Sequence, residues 1–167
     1  MYDDMTKEDI QKIQEEIEHR KMVVRPEAIQ AVKEARAHGD LSENFEYHAA
    51  KQFKNQNESR IRYLERMIKT AHIIEDSSGE DEVGLFNTVT VYVPEDDEEE
   101  QYKIVTSMRG DSLSGLITKE SPVGQALLGH KVGETVTVKV NDSYSYQMEI
   151  RKIEKTVDDG SDGIRSF

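Results

Sequence analysis

The chain has no cysteine and no tryptophan, and only three prolines among its 167 residues. Without cysteine there is no disulfide framework, no thiolate nucleophile and no zinc–thiolate site. There is no early apolar run of the signal-peptide kind, and nothing approaches the roughly 20 apolar residues of a membrane span. Basic residues are outnumbered, 22 Lys and Arg against 34 Asp and Glu, and the formal net charge is −12. That balance argues against bulk electrostatic attachment to nucleic acid, which needs clustered cations, but leaves room for a local basic face. A soluble cytoplasmic protein of one ordinary domain or two small ones is expected.

What is present divides in two by pattern. Residues 6 to 74 contain one proline, Pro26, and one glycine, Gly39. Ile10, Ile13 and Ile17 recur at steps of three and four, and Val24, Ala28, Ala31 and Ala35 continue the apolar face after a gap at Arg20 and Lys21. After Gly39 the steps are strict: Tyr47, Ala50, Lys54, Asn57, Ile61, Leu64, Ile68 and Ala71 alternate between three and four, with Lys54 and Asn57 the polar members. This is the seam of a coiled coil. Two helices of about 30 residues joined at one glycine turn must fold back antiparallel, as a hairpin about 45 Å long at 1.5 Å per residue. Pro26 inside the first helix removes a hydrogen bond and clashes with the preceding turn, which predicts a kink or short break there.

The segment 75–84, EDSSGEDEVG, is acidic and reads as a linker. Beyond it the period shortens. TVTVYV (88–93), QYKIVTSM (101–108), ETVTVKV (134–140) and SYQMEIRKI (145–153) read as strands, and the six acids Glu95 to Glu100 as a solvated hairpin loop. Ser121 as N-cap, Pro122 at the first helical position and Gly129 after the last turn punctuate one short helix. The predicted class is therefore α+β: a helical hairpin over 1–74, a linker, a small β-rich domain over 85–155, and a disordered tail over 156–167. Charge follows the same division. Residues 1–75 carry 13 Lys or Arg against 15 Asp or Glu, whereas residues 76–167 carry 9 against 19.

The stretch ARAHGDLSENFEYHAAKQ, residues 35–52, concentrates Asp40, Glu43 and Glu46 where the chain reverses. Two readings stand side by side. In the first, Gly39 ends one helix, Asp40 caps the next and Glu43 closes a capping box. In the second, carboxylates at an exposed tip hold a divalent metal. Glu46, one turn on, reads as solvated or salt-bridged, and Phe45 as packed across the hairpin end, with contact to a nucleic acid or protein as the alternative. Arg36, Lys51 and Lys54 are the basic residues near the tip, with His38 and His48 beside them.

RPEAIQAVKEARAHGDLSENFEYHAAKQ resembles the Gre transcript-cleavage factors of bacterial RNA polymerase, and the order of elements, including SPVGQALLGHKVGE, agrees with that family over about residues 5–154. The resemblance implies an FKBP-like second domain and a hairpin that enters the polymerase secondary channel. It further implies that Asp40 helps to retain a second Mg²⁺ and that Glu43 orients the attacking water. The ion would be shared with the polymerase site and not held tightly by the free protein, which is then no enzyme by itself. The implied partners are RNA polymerase and the 3′ end of backtracked RNA, with no membrane and a monomeric chain. Arg36 and Lys51 match the RNA-contacting patch, against a reading as solvated charges paired with acids such as Glu34. Ser121 and Pro122 match the polymerase-docking segment.

Some family members inhibit from the same channel. Their tips carry extra acids, whereas this chain keeps Asp-Leu-Ser-Glu-Asn, which favours stimulation of cleavage. An adaptor without a channel function would make the long tip match a coincidence. Prolyl isomerase activity, known among FKBP relatives, needs a deep aromatic pocket; after the linker only Phe86, Tyr92, Tyr102, Tyr144, Tyr146 and Phe167 could line one.

Overall fold

The computed structural model describes residues 4–39, 44–160 and 162–164. They divide into two units, Asp9–Ala71 and, separately, Asp4–Glu8 with residues 72–164. The α+β class expected from the sequence is the one observed.

The first unit is a helical hairpin. Its first arm runs through α1 (Lys7–His19), a π-helical turn (Arg20–Val24) and α2 (Arg25–Arg36); its second is α3 (Phe45–Lys69). The pairings Glu16 with Arg60 and Ala35 with Asn44 make the arms antiparallel. Along α3 the inward-facing positions are those of the strict three-four seam, with Asn57, Ile61 and Leu64 buried. The first arm differs. Its inward stripe passes through Ile13, Glu16, Arg20, Val24 and Ala28, three successive steps of four. A regular helix would rotate that stripe off the partner. The π turn absorbs the surplus residue: the Arg25 N–H reaches back five residues to the carbonyl of Arg20. Pro26, which can donate no hydrogen bond, falls just beyond this widened turn, where the loss is accommodated. The first arm is thus unbroken, and its irregularity at the level of the expected kink or break is one π turn.

A polar network fills the seam at this level. Arg20 Nε (2.7 Å) and Arg60 Nε (2.9 Å) both donate to Glu16 Oε2. Arg20 Nη1 donates to Asn57 Oδ1 at 3.0 Å, and Asn57 Nδ2 donates at 3.2 Å to the carbonyl of Arg20 that opens the π turn. Burial pushes the Glu16 carboxyl up, but the hydrogen bonds from Arg60 and Arg20 outweigh it, and the group ends below its ordinary value of 4.5. A carboxyl depressed in the folded state stabilises fully above its unfolded pKa, and that contribution is lost as pH falls through the folded value. Glu16→Gln is therefore expected to lower the melting temperature of the hairpin at pH 7, with the gap to wild type closing below pH 4.5. Melts followed by helical circular dichroism across pH 3 to 7 check this; a gap independent of pH would contradict it.

The second unit is a five-stranded sheet in the order β5-β4-β3-β7-β6, built from β3 (Thr88–Val93), β4 (Glu98–Val105), β5 (Leu116–Thr118), β6 (Thr135–Lys139) and β7 (Ser145–Glu154). All pairs are antiparallel except β4–β5. Alternation sends Val89, Val91 and Val93 of β3, Val136 and Val138 of β6, and Met148 and Ile150 of β7 to one face, where Ile104, Val83 and Leu127 complete the core. Leu127 comes from α4 (Pro122–Leu127). A two-residue parallel pair, β1 (Asp4–Met5) with β2 (His72–Ile73), lies in this unit too.

Three expectations are corrected. Glu98, Glu99 and Glu100 are not loop but strand, paired with Val93, Tyr92 and Val91, so the turn is confined to residues 94–97, with Asp97 at φ +49°. The stretch 75–84 joins the sheet unit: Val83 is buried and Glu82 bridges to Lys131. The tail is held as far as Asp162. Arg109, itself buried, makes a two-pronged ion pair with Asp158 (3.0 and 2.8 Å), and Lys103 Nζ meets Asp162 at 2.7 Å. These two cations stand 5.5 and 5.9 Å from the ring centre of the buried Phe86. Lys155 Nζ lies within hydrogen-bond distance of four oxygens, shared among its three N–H groups: Asn87 Oδ1 (2.6 Å), the Glu82 carbonyl (2.8 Å), the Gly79 carbonyl (3.0 Å) and Ser78 Oγ (3.1 Å).

Candidate functional site

Asp40 and Glu43 lie outside the described residues, so the tip is defined by what flanks it. Gly39 has φ +121°, a backbone conformation that glycine adopts at little cost, just after α2. The residue that caps α3 is Asn44, not Asp40. Its Oδ1 accepts the Tyr47 N–H at 3.0 Å, and its Nδ2 donates to the Ala35 carbonyl at 2.7 Å, closing the two arms together. One of the orphan donors of the first turn of α3, the Tyr47 N–H, is thus served by an uncharged amide. The expectation of an Asp40–Glu43 capping box for this helix is corrected accordingly.

Tyr47, at the start of the seam, gathers the basic residues. Arg36 Cζ lies 5.6 Å and Lys51 Nζ 6.0 Å from its ring centre. The hydrogen bond from Arg36 chiefly, with the charges of Lys51 and Lys54, holds its phenol below the ordinary 10. Arg36 and Lys51 come from different arms, and the fold brings them to one place. Glu46 is exposed and meets His38 Nδ1 at 3.2 Å, a contact that becomes an ion pair when the imidazole is protonated. Phe45 does not pack: it is 87% exposed, because as the first residue of α3 it stands two positions before Tyr47 and so faces away from the seam.

In the second unit Ser121 is the N-cap of α4, its Oγ accepting the Gly124 N–H at 3.0 Å and donating to the Thr118 carbonyl at 2.7 Å. Pro122, in the first turn, is exposed. Asp4 Oδ2 anchors Lys119 Nζ at 2.6 Å, and the hydrogen bonds from Lys119 and His72 hold the Asp4 carboxyl below its ordinary range. Gly124 has no room for a side chain: a methyl would run into the Thr118 carbonyl oxygen and lie 3.0 Å from Lys119 Cα. Gly124→Ala is expected to destabilise the sheet unit by about 2 to 3 kcal/mol, since the obstacle is backbone. Urea unfolding monitored at the tyrosines, which are concentrated in this unit, would reveal it as a lower midpoint.

Comparison with known proteins then decides the family. The family model described as transcription elongation factor, N-terminal, matches residues 4–73, and that for the GreA/GreB C-terminal domain matches residues 78–155. Transcription elongation factor GreA of Streptococcus pneumoniae (strain G54) is 44% identical over 153 residues, covering 91% of this chain and 95% of that protein. The chain belongs to the GreA/GreB family of transcription elongation factors. The GreA of Streptococcus sanguinis is 45% identical over 154 residues, 92% of this chain and 96% of its own. Among solved structures, the Gre-family likeness extends to Gfh1 of Thermus thermophilus, 27% identical, covering 92% of this chain and 99% of that one, with a TM-score of 0.43.

Of the residues singled out in this Gre chain by sequence, Arg36 and Lys51 converge at the tip, whereas Ser121 and Pro122 lie in the other unit. Asn44 was missed although a signal existed. The seam opens at Tyr47, and an N-cap side chain serves the N–H three residues on, which points back to position 44.

Proposed function

We propose that this protein stimulates RNA polymerase to hydrolyse backtracked RNA, entering the secondary channel tip first. The observation that supports it is the cap of α3: Asn44 serves the helix, so capping α3 does not require either tip acid. In this reading Asp40 and Glu43 supply two hard oxygen donors of the kind Mg²⁺ prefers. They are too few for its roughly six positions, so the ion is shared with the polymerase. Among the described residues no three His, Asp or Glu gather into a metal cage. When bound, the ion neutralises charge on the phosphate under attack. Asp40 helps to hold it, and Glu43 orients the water and takes its proton. Arg36 and Lys51, over Tyr47, hold RNA phosphates without regard to sequence. Ser121 and Pro122 dock the second unit on the polymerase surface.

The test uses a stalled, backtracked complex of the cognate polymerase with 3′-labelled RNA in Mg²⁺. Adding the full-length protein is expected to release short labelled 3′ fragments and to restore elongation. Binding without cleavage would instead make it a channel occupant that inhibits.

A further inference from the structure

A large apolar ring held 87% in water at the start of α3 is the least economical feature of the hairpin. Phe45 serves neither the seam nor the cap, since Asn44 fixes the helix start and Tyr47 begins the packed face. Charges of both signs stand near it: Asp40 and Glu43 precede it in the chain, and a group of cations lies on the arms. Among described residues 35–54, Arg36, Lys51 and Lys54 stand against one carboxylate, Glu46, which is already engaged by His38. The Tyr47 phenol, lowered chiefly by its hydrogen bond from Arg36 and further by the charges of Lys51 and Lys54, marks where these cations converge. By helix geometry Phe45, His48 and Gln52 share one face. From His48 a shallow groove continues along α3, lined by Lys51, Gln52, Asn55, Gln56 and Ser59. An exposed ring beside cations, opening onto amide and hydroxyl groups, is the combination that takes single-stranded nucleic acid: phosphates on the charges and a base on the ring. A protein partner would have to supply both an apolar pocket for the ring and carboxylates for the cations, whereas a single strand carries a stackable base and a phosphate in every nucleotide.

We infer that Phe45 stacks on an unpaired base of the extruded RNA 3′ segment, making cleavage sensitive to the identity of that base. The inference rests on the proposed cleavage function and adds to it a residue that discriminates between bases. Because stacking scales with the area of the base, purines gain more than pyrimidines, and an abasic nucleotide gains nothing.

The experiment measures cleavage rates in three backtracked complexes that differ only in one extruded nucleotide: adenine, uracil or abasic. Wild type, Phe45→Ala and Phe45→Trp are compared. Phe45 is exposed and alanine is the better helix former, so the alanine variant keeps its fold, which circular dichroism verifies. The expected result is a wild type fastest on adenine and slowest on the abasic complex. Phe45→Ala should lose about tenfold on adenine and almost nothing on the abasic complex, and Phe45→Trp should restore the preference. Equal rates for wild type and Phe45→Ala on all three overturn the inference while leaving the cleavage function intact. An equal loss on all three, abasic included, overturns it in favour of a contact with the polymerase protein. A wild type that cleaves none of them overturns the cleavage reading and the inference with it.

Discussion

Asp40→Asn and Glu43→Gln should each lower the maximal rate of stimulated transcript cleavage by about 100-fold or more. Both substitutions conserve volume and remove one negative charge. On the proposed mechanism the tip uses that charge only when phosphate, metal and water are assembled, so the loss should fall on the maximal rate and not on the concentration of protein that half-saturates the polymerase. The two variants should separate on metal. If Asp40 helps to retain the shared ion, raising Mg²⁺ recovers part of the Asp40→Asn rate. If Glu43 positions water, added metal does nothing for Glu43→Gln. Both should melt with wild type, because the helix start is held by Asn44. Titrating each variant into a backtracked complex, at two Mg²⁺ concentrations, reads rate and affinity together. Saturation of all three proteins at one rate would show that the tip acids take no part in the chemistry.

Asp158→Ala carries the largest expected cost in stability, about 3 to 5 kcal/mol in the sheet unit. Arg109 is 2% exposed, and Asp158 accepts from both of its terminal nitrogens. Removing the carboxylate takes the two-pronged counter-charge from a buried guanidinium, and the bond from Arg109 Nη1 to the Asp162 carbonyl, 3.1 Å, is neutral at the acceptor. For a unit of this size such a loss lowers the melting temperature by more than about 10 °C. The control is the double substitution Arg109→Met with Asp158→Ala, which removes both charges and should recover much of the loss. Calorimetry would decide it, since the hairpin transition should stay in place while that of the sheet unit moves. If the single and double variants melt together, the buried pair is not what holds the tail.

The hairpin was legible because its pattern is long. Eight seam positions from Tyr47 to Ala71 leave little choice of period, and TVTVYV matches β3 to the residue. What escaped was short or non-local. β1 and β2 are two residues each, and β5 is three, too few for alternation to be read. The π turn was present as a run of fours, but the gap at Arg20 and Lys21 hid it: Arg20 is a seam residue whose guanidinium finds Glu16 and Asn57. The tail read as disordered because VDDGSDG has a single apolar residue, Val157. Its anchor is an arginine 49 positions away, which no local window contains. At the tip, Asp40 and Asn44 are comparable as caps by residue type, and the apparent Asp-x-x-Glu box outweighed the register that the seam imposes.

The four oxygens around the Lys155 ammonium form the kind of cage that other proteins build for a dissolved cation. A loop closed round free calcium or potassium is hostage to supply, opening when a chelator or dilution withdraws the ion. Here the cation is tethered covalently to the end of β7's exit, so it has no dissociation constant and no competitor in solution. The loop of residues 78–87 therefore closes without drawing on a dissolved ion. Acylation of that one amine would remove the charge that holds it.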